Sequence, residues 1–254
     1  MIQLPQPLPD GVLLGHETEG LRLALAATGA HWLAPRPGLH MGKSGAITGW
    51  SMKAGGETAL PAAANSGQSA IVLHREHPAL ALQTEVNGGF VVHEVAANAA
   101  RFTLAVIYAA PHAEARTLAS LRIGPAETAN LLFLSHADGV LTAKDRSGGV
   151  TVDLPLPARQ DHFRLVIASW DRTRLILQTG AAQAESRGRI VGAEGPVDLF
   201  IGCRGHRKGL TKTLGNALIG DVFFWPDCSL LAPRDAADQA QLAALHSYVR
   251  WHYG

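Results

Sequence analysis

The 254-residue sequence predicts an all-β protein, a sandwich of two antiparallel sheets. Three observations carry that expectation. Short segments of alternating character recur along most of the chain, and period-two alternation is the signature of a half-buried strand. Turn residues punctuate these segments roughly every 8–12 positions, the spacing expected of a sandwich. The third is Asp161–Gly180, DHFRLVIASWDRTRLILQTG, which reads as a hairpin. In it Phe163, Leu165 and Ile167 alternate with Arg164 and Val166, Trp170-Asp171-Arg172-Thr173 interrupts, and Leu175 and Leu177 resume the pattern.

Taken in order, residues 1–20 contain Pro5, Pro7, Pro9, Gly11, Gly15 and Gly20 and read as an extended arm, either packed on the surface or docked on a partner. Leu21–Trp32 fits a short helix or a strand: Arg22 between two leucines favours the strand, Ala24–Ala27 the helix. Pro35-Arg36-Pro37-Gly38 forces a turn. Ile47–Trp50 is a first strand, with Trp50 placed at a sandwich edge, and Lys53–Gly67 is a loop. Ala70–Leu73 and Ala79–Glu85 are strands with Pro78 turning the chain between them, and Gly88–Val92 follows a turn at Asn87-Gly88. Arg101–Ala109 is apolar on both faces and is therefore a central, buried strand. Thr117–Ile123, Asn130–His136, Val140–Lys144 and Gly149–Leu154 follow, with turns at Asp138-Gly139 and Arg146–Gly149. After the hairpin come Arg189–Val191, Val197–Cys203, a basic loop over Gly205–Gly215, and Ala217–Trp225. A helix over residues 233–252, started by Pro233-Arg234-Asp235, is the one helix with clear spacing. With no repeat or linker to divide it, the chain reads as one domain: residues 1–45 an arm and lead-in, residues 46–254 the sandwich and its terminal helix.

Bulk properties exclude several functions. A chain that is 47% hydrophobic and 17% charged can build a substantial core. A formal charge of +1 supplies no global field for nucleic acid or an anionic membrane, and 6% aromatic content argues against a base-stacking platform. The N-terminus lacks a basic start and a long apolar run, so no secretory signal is expected, and no segment is long enough for membrane insertion. Cys203 and Cys228 would sit about 30 Å apart if their strands pair, beyond disulfide reach, so two free thiols are expected.

Two regions carry a resemblance to a known family. The hairpin Phe163–Gly180 resembles the central hairpin of the concanavalin A-like lectin/glucanase (laminin-G-like) sandwiches, in which an aromatic residue, an apolar strand, an aromatic-Asp turn and a strand ending in Gly follow one another. The tail, Ile219-Gly220-Asp221-Val222-Phe223-Phe224-Trp225 and then Gln241-Leu242-Ala243-Ala244-Leu245 through Tyr253-Gly254, resembles the family's closing strand and helix. The order of Trp50, Gly89-Phe90-Val91-Val92 and Arg101–Ile107 is similar to the entry strands of such domains in phage-like and bacterial surface proteins. The resemblance covers about residues 45–254 and implies a jelly-roll sandwich.

Catalytic and metal patterns are missing. An active glucanase of this fold would bear a Glu-x-Asp-x-x-Glu strand, because retention needs two carboxylates about 5–5.5 Å apart and strand alternation places i and i+2 on one face. No strand here has that run, and Asp221 stands alone in its own. Gly38–Ser44, GLHMGKS, has one residue too few for a phosphate loop, and neither strand nor helix flanks it. His16-Glu17, His74-x-x-His77 and His93-Glu94 each lack the partner a zinc helix requires, and neither Gly42-Lys43-Ser44 nor Gly67-Gln68-Ser69 forms a nucleophile elbow. No dense Asp/Asn cluster offers the six to eight oxygens calcium takes. No cofactor and no metal are expected.

The concentrated feature is the loop holding Arg204, His206, Arg207, Lys208 and Lys212, whose cations could hold the carboxylate, sulfate or phosphate of an acidic glycan; its bland alternative is a solvated loop. Trp170 joins these as a residue able to stack on a sugar or to fill the core. The resemblance therefore leaves three readings: a non-catalytic glycan-binding module of a phage-like particle or surface assembly, a structural subunit of such a particle, and a divergent glycosidase. The expected partners are a glycan or neighbouring subunits, with a homo-oligomer anticipated. The expected location is a particle, the cytoplasm before assembly, or the cell surface.

Overall fold

The computed structural model describes residues 16–63, 65–112, 114–125, 129–205 and 211–254. The chain begins with α1 (His16–Ala26), β1 (His31–Leu33), a turn over Pro35–Gly38, β2 (Leu39–Met41), β3 (Ile47–Ala54) and β4 (Thr58–Pro61). It continues through β5 (Ala70–His74), β6 (His77–Ala81), β7 (Phe90–Ala96), β8 (Phe102–Ala110) and β9 (Arg116–Ile123). Next are β10 (Asn130–Ala137), β11 (Val140–Asp145), β12 (Thr151–Pro155), β13 (Gln160–Trp170), β14 (Arg174–Thr179) and β15 (Ala182–Arg187). It closes with β16 (Val197–Ile201), a 3-10 turn at Thr211–Thr213, β17 (Leu218–Pro226) and α2 (Ala236–Tyr253).

These strands form an antiparallel jelly-roll sandwich. The first sheet runs β5-β6-β17-β8-β13-β14-β15, and β1 shares the outer side of β17 with β6. The second runs β4-β7-β16-β9-β10-β11-β12. β3 pairs with β1 on one side and with β4 on the other, so it stitches the sheets together at one edge.

β8 shows why both of its faces had to be apolar. Phe102, Leu104, Val106 and Tyr108 enter the core between the sheets, where Trp50, Phe90, Trp170 and Phe224 also lie. Ala105 and Ile107 point the other way, into a second core with Trp32, Phe223, Trp225, Leu245 and Tyr248, under the two helices. Side chains alternate across a strand, so a sheet covered on both sides reads as a continuous apolar run.

Several elements differ from the sequence expectation. The ambiguous Leu21–Trp32 splits: Leu21 and Leu25 face the second core from α1, and a separate strand begins at His31. The alternation at Leu21–Leu23 is not a strand, because those residues lie in α1 and both Leu21 and Leu25 pack on one helix face; the helix signal at Ala24–Ala27 agrees with α1 as far as Ala26. A boundary at residue 46 also cuts too late, because β1 pairs with β17 and α1 docks on α2 through Gln241, whose Nε2 donates to the Ala24 carbonyl at 3.1 Å. Trp50 lies in β3 at the edge where the sheets join and is fully buried there, and its indole N–H donates to the Ala34 carbonyl at 2.8 Å. Lys53–Gly67 is not all loop, since β4 forms within it. The turn between β5 and β6 lies at Arg75-Glu76, both at positive φ, and Pro78 sits inside β6. Arg189–Val191 is not a strand; β15 precedes it. Both cysteine thiols are free, Cys203 buried and Cys228 half-buried.

The terminal helix starts where its cap says it should. Asp235 Oδ1 accepts the Asp238 backbone N–H at 2.9 Å, satisfying one of the donors a helix start leaves open. Asp235→Ala is expected to cost about 1 kcal/mol, read as a lower midpoint in urea denaturation with an unchanged slope.

Candidate functional site: a cleft at one end of the sandwich

The basic segment singled out in the sequence is only partly within the described residues: His206, Arg207 and Lys208 lie outside them. Arg204 is committed to the fold. Its guanidinium stands 3.8 Å over the Phe133 ring, its Nε donates to Thr117 Oγ1 at 3.0 Å, and burial lowers its pKa. Lys212 is exposed, and its carbonyl accepts from Arg116 Nη1 at 2.5 Å. Trp170 lies at the opposite end. It pairs with Phe102, the first residue of β8, whereas Arg204 contacts the start of β9, reached only after the nine residues of β8. Nine residues span about 30 Å, so Trp170 and Arg204 cannot share one small ligand. Trp170 is also 2% exposed, which rules out stacking on a sugar.

Trp170 instead helps line a cleft of about 490 Å³, with Arg172 from the hairpin turn and Arg189, Ile190 and Glu194 from the segment after β15. The turn is built by Asp171. Its Oδ1 accepts the backbone N–H groups of Thr173 and Arg174 at 2.9 and 2.7 Å and the Thr173 hydroxyl at 2.9 Å. Its Oδ2 accepts Arg174 Nε at 2.8 Å. Burial pushes the Asp171 pKa up, but these bonds outweigh it and hold the carboxyl at about 2, so it is ionised at any ordinary pH. Arg174 is thereby occupied, with Glu185 as its second partner at 3.1 Å. Arg172, at a φ of +88° on the turn, is left exposed.

The other wall is held equally firmly. Gly188 N–H donates to the Thr173 carbonyl at 3.1 Å, tying the end of β15 to the turn. Ile190 is 3% exposed and anchors the segment in the core, while Ala99 N–H donates to the Ala193 carbonyl at 2.6 Å. Asn130 Nδ2 donates to the Val191 carbonyl at 3.1 Å. Arg189 and Glu194 are left facing solvent. Among the described residues, Arg172, Arg189 and Glu194 make no ion pair and no side-chain hydrogen bond. The cleft therefore offers two uncommitted guanidiniums and one carboxylate beside an apolar floor. Sequence reading passed over these residues. The available signal was the turn itself: an Asp bonded to positions two and three ahead fixes everything but the side chain between.

No protein-family model and no curated protein sequence matches the chain. Solved structures do. Trypanosoma rangeli sialidase in complex with sialic acid superposes over 94% of this chain and 38% of its own, with a TM-score of 0.56 at 12% identity. This chain has the concanavalin A-like lectin/glucanase fold. A second structure of the T. rangeli enzyme, its covalent intermediate with 2,3-difluorosialic acid, matches over 88% of this chain and 33% of its own, with a TM-score of 0.55 at 15% identity. The concanavalin A-like chain thus spans little more than a third of the sialidase. Domain 4 of AbnA, an arabinanase of Geobacillus stearothermophilus in complex with arabinotriose, overlaps more loosely: TM-score 0.46, 13% identity, 63% of this chain and 76% of that one. Within this concanavalin A-like sandwich the cleft lies at the tip of the hairpin by which the sequence resembled the family.

Proposed function

We propose that the chain is a non-catalytic carbohydrate-binding module and that the cleft between Arg172 and Glu194 receives a glycan bearing acidic groups. One observation carries this reading: two arginines without partners stand on rigid backbone at the wall of a concave site. A guanidinium binds a carboxylate or sulfate through two parallel hydrogen bonds, and Glu194 can accept from sugar hydroxyls. A rigid sandwich that carries its recognition groups on end loops is a common arrangement. The T. rangeli sialidase holds an acidic sugar, sialic acid, which is in keeping with this ligand class. Among the described residues, Glu194 is the single carboxylate lining the cleft, which favours binding over the two-carboxylate chemistry of most glycosidases.

The test is a screen of acidic and neutral oligosaccharides against the full chain, followed by titration of the best binder. Arg172→Ala and Arg189→Ala should each weaken binding of an acidic glycan by about ten- to a hundredfold, since a hydrogen bond to a charged group is worth roughly 1.5–3 kcal/mol. Lys212→Ala, at the far end of the sandwich, should leave it unchanged. Equal binding by wild type and both arginine variants would overturn the site, and release of reducing sugar would overturn the non-catalytic reading.

A further inference from the structure

A second concave site lies elsewhere on the molecule. Between α2 and the outer face of the β13–β14 hairpin runs a groove of about 410 Å³. Its floor is apolar: Phe163, Leu165 and Ile167 come from β13 and Val249 from α2. Residues three and four apart share a helix face, which brings His246, Val249 and Arg250 to the same wall. His162 adds a further basic group. Among the described residues, no Asp or Glu lines the groove and the Arg250 side chain makes no ion pair or hydrogen bond. Burial, and then the neighbouring Arg250 charge, hold the His246 pKa below its ordinary 6.5. Arg250 gives the apolar trough a positive spot with no acid among the described lining residues to neutralise it, and a bound anion would act on the adjacent His246 as well.

We infer that this groove binds a small amphiphilic carboxylate, with its apolar body on Phe163, Leu165 and Val249 and its head on Arg250. The inference is independent of the end cleft, which no residue of the groove lines. A second guanidinium, Arg164, also lines the groove, but its Nε donates to Gln160 Oε1 at 2.8 Å, which leaves Arg250 as the uncommitted anchor. An apolar floor with a few placed polar groups is the usual make-up of a small-molecule pocket, and the positive charge selects an anion over a neutral or cationic amphiphile.

The experiment titrates sodium octanoate into the full chain by calorimetry, with 1-octanol as the uncharged control, while NMR follows the His246 ring. Octanoate is expected to bind at least tenfold more tightly than octanol and to shift the His246 resonances. Arg250→Gln is expected to weaken octanoate about tenfold and leave octanol unchanged. Arg250→Lys, which keeps the charge, is expected to restore part of the loss and so separates charge from any effect on helix packing. Absence of octanoate binding, equal affinity for both probes, an Arg250→Gln variant that binds like wild type, or unmoved His246 resonances would each overturn the proposal.

Discussion

Asp221→Asn is expected to remove a pH dependence of stability worth about 3 kcal/mol. Asp221 sits in the middle of β17, is 1% exposed and accepts a hydrogen bond from the Tyr248 hydroxyl of α2. Tyr253 from the same helix and the charge of Lys53 from β3 also act on it. Burial disfavours the charged carboxylate more than these partners favour it, and the pKa is pushed from 3.8 to about 6. The folded protein therefore binds a proton more readily than the unfolded chain between those two values. Stability from this group is fully present below pH 3.8 and is lost as the pH rises through about 6. The gap of about 2 pH units corresponds to about 3 kcal/mol at 1.36 kcal/mol per unit. Asparagine keeps the shape and an acceptor but cannot ionise. Urea denaturation of both proteins at pH 4 and pH 7.5 should show the variant gaining on wild type by that amount at the higher pH. Parallel stability curves across the range would mean that Asp221 titrates alike in folded and unfolded chains.

Gly188→Ala is expected to cost about 3 kcal/mol and to spoil the end cleft as well. At the close of β15 the backbone of Gly188 runs against that of Gly149, which leads into β12 of the other sheet. A Cβ built on Gly188 would fall well inside contact distance of the Gly149 carbonyl oxygen, and one on Gly149 would collide with the Arg189 carbonyl in the same way. Both obstacles are backbone, so relief requires the strands to separate at the edge where the sheets meet. Overpacking of this kind costs about 1–3 kcal/mol, with the upper end expected where no side chain can yield. Gly188 also bonds to the Thr173 carbonyl beside Arg172 and precedes Arg189, so both proposed anchors move with it. The measurements are the denaturation midpoint and the affinity for an acidic glycan. Gly20→Ala is the control: nothing lies within 4 Å of its would-be Cβ, and in helix α1 alanine should be neutral or stabilising. A Gly188→Ala protein as stable as wild type would show that the sheets do not meet this closely in solution.

The strands that were easy to read are those whose side chains must satisfy a core. Arg101–Ala109 and the Asp161–Gly180 hairpin were located to within a residue or two, because burying one or both faces forces apolar residues into fixed positions. β15, Ala-Gln-Ala-Glu-Ser-Arg, escaped notice for the converse reason. As an edge strand it is largely exposed, so packing places little demand on its side chains, and only hydrogen bonds to β14 define it. β4 was hidden likewise in a run of small residues. Trp170 drew attention as a possible sugar platform, and its size made it core instead.

By itself the amino-acid sequence determined the sandwich, its central strand, the hairpin turn built by Asp171 and the terminal helix. Each follows from local alternation, turn chemistry or capping within a few residues. The tertiary structure alone decided which charges are spent and which are free. Arg204 and Arg174 are consumed by Phe133 and Asp171, while Arg172 and Arg189, seventeen positions apart, meet at one cleft. That choice depends on which segments the sheet edges bring together, and long-range pairing leaves no periodic trace in a single chain.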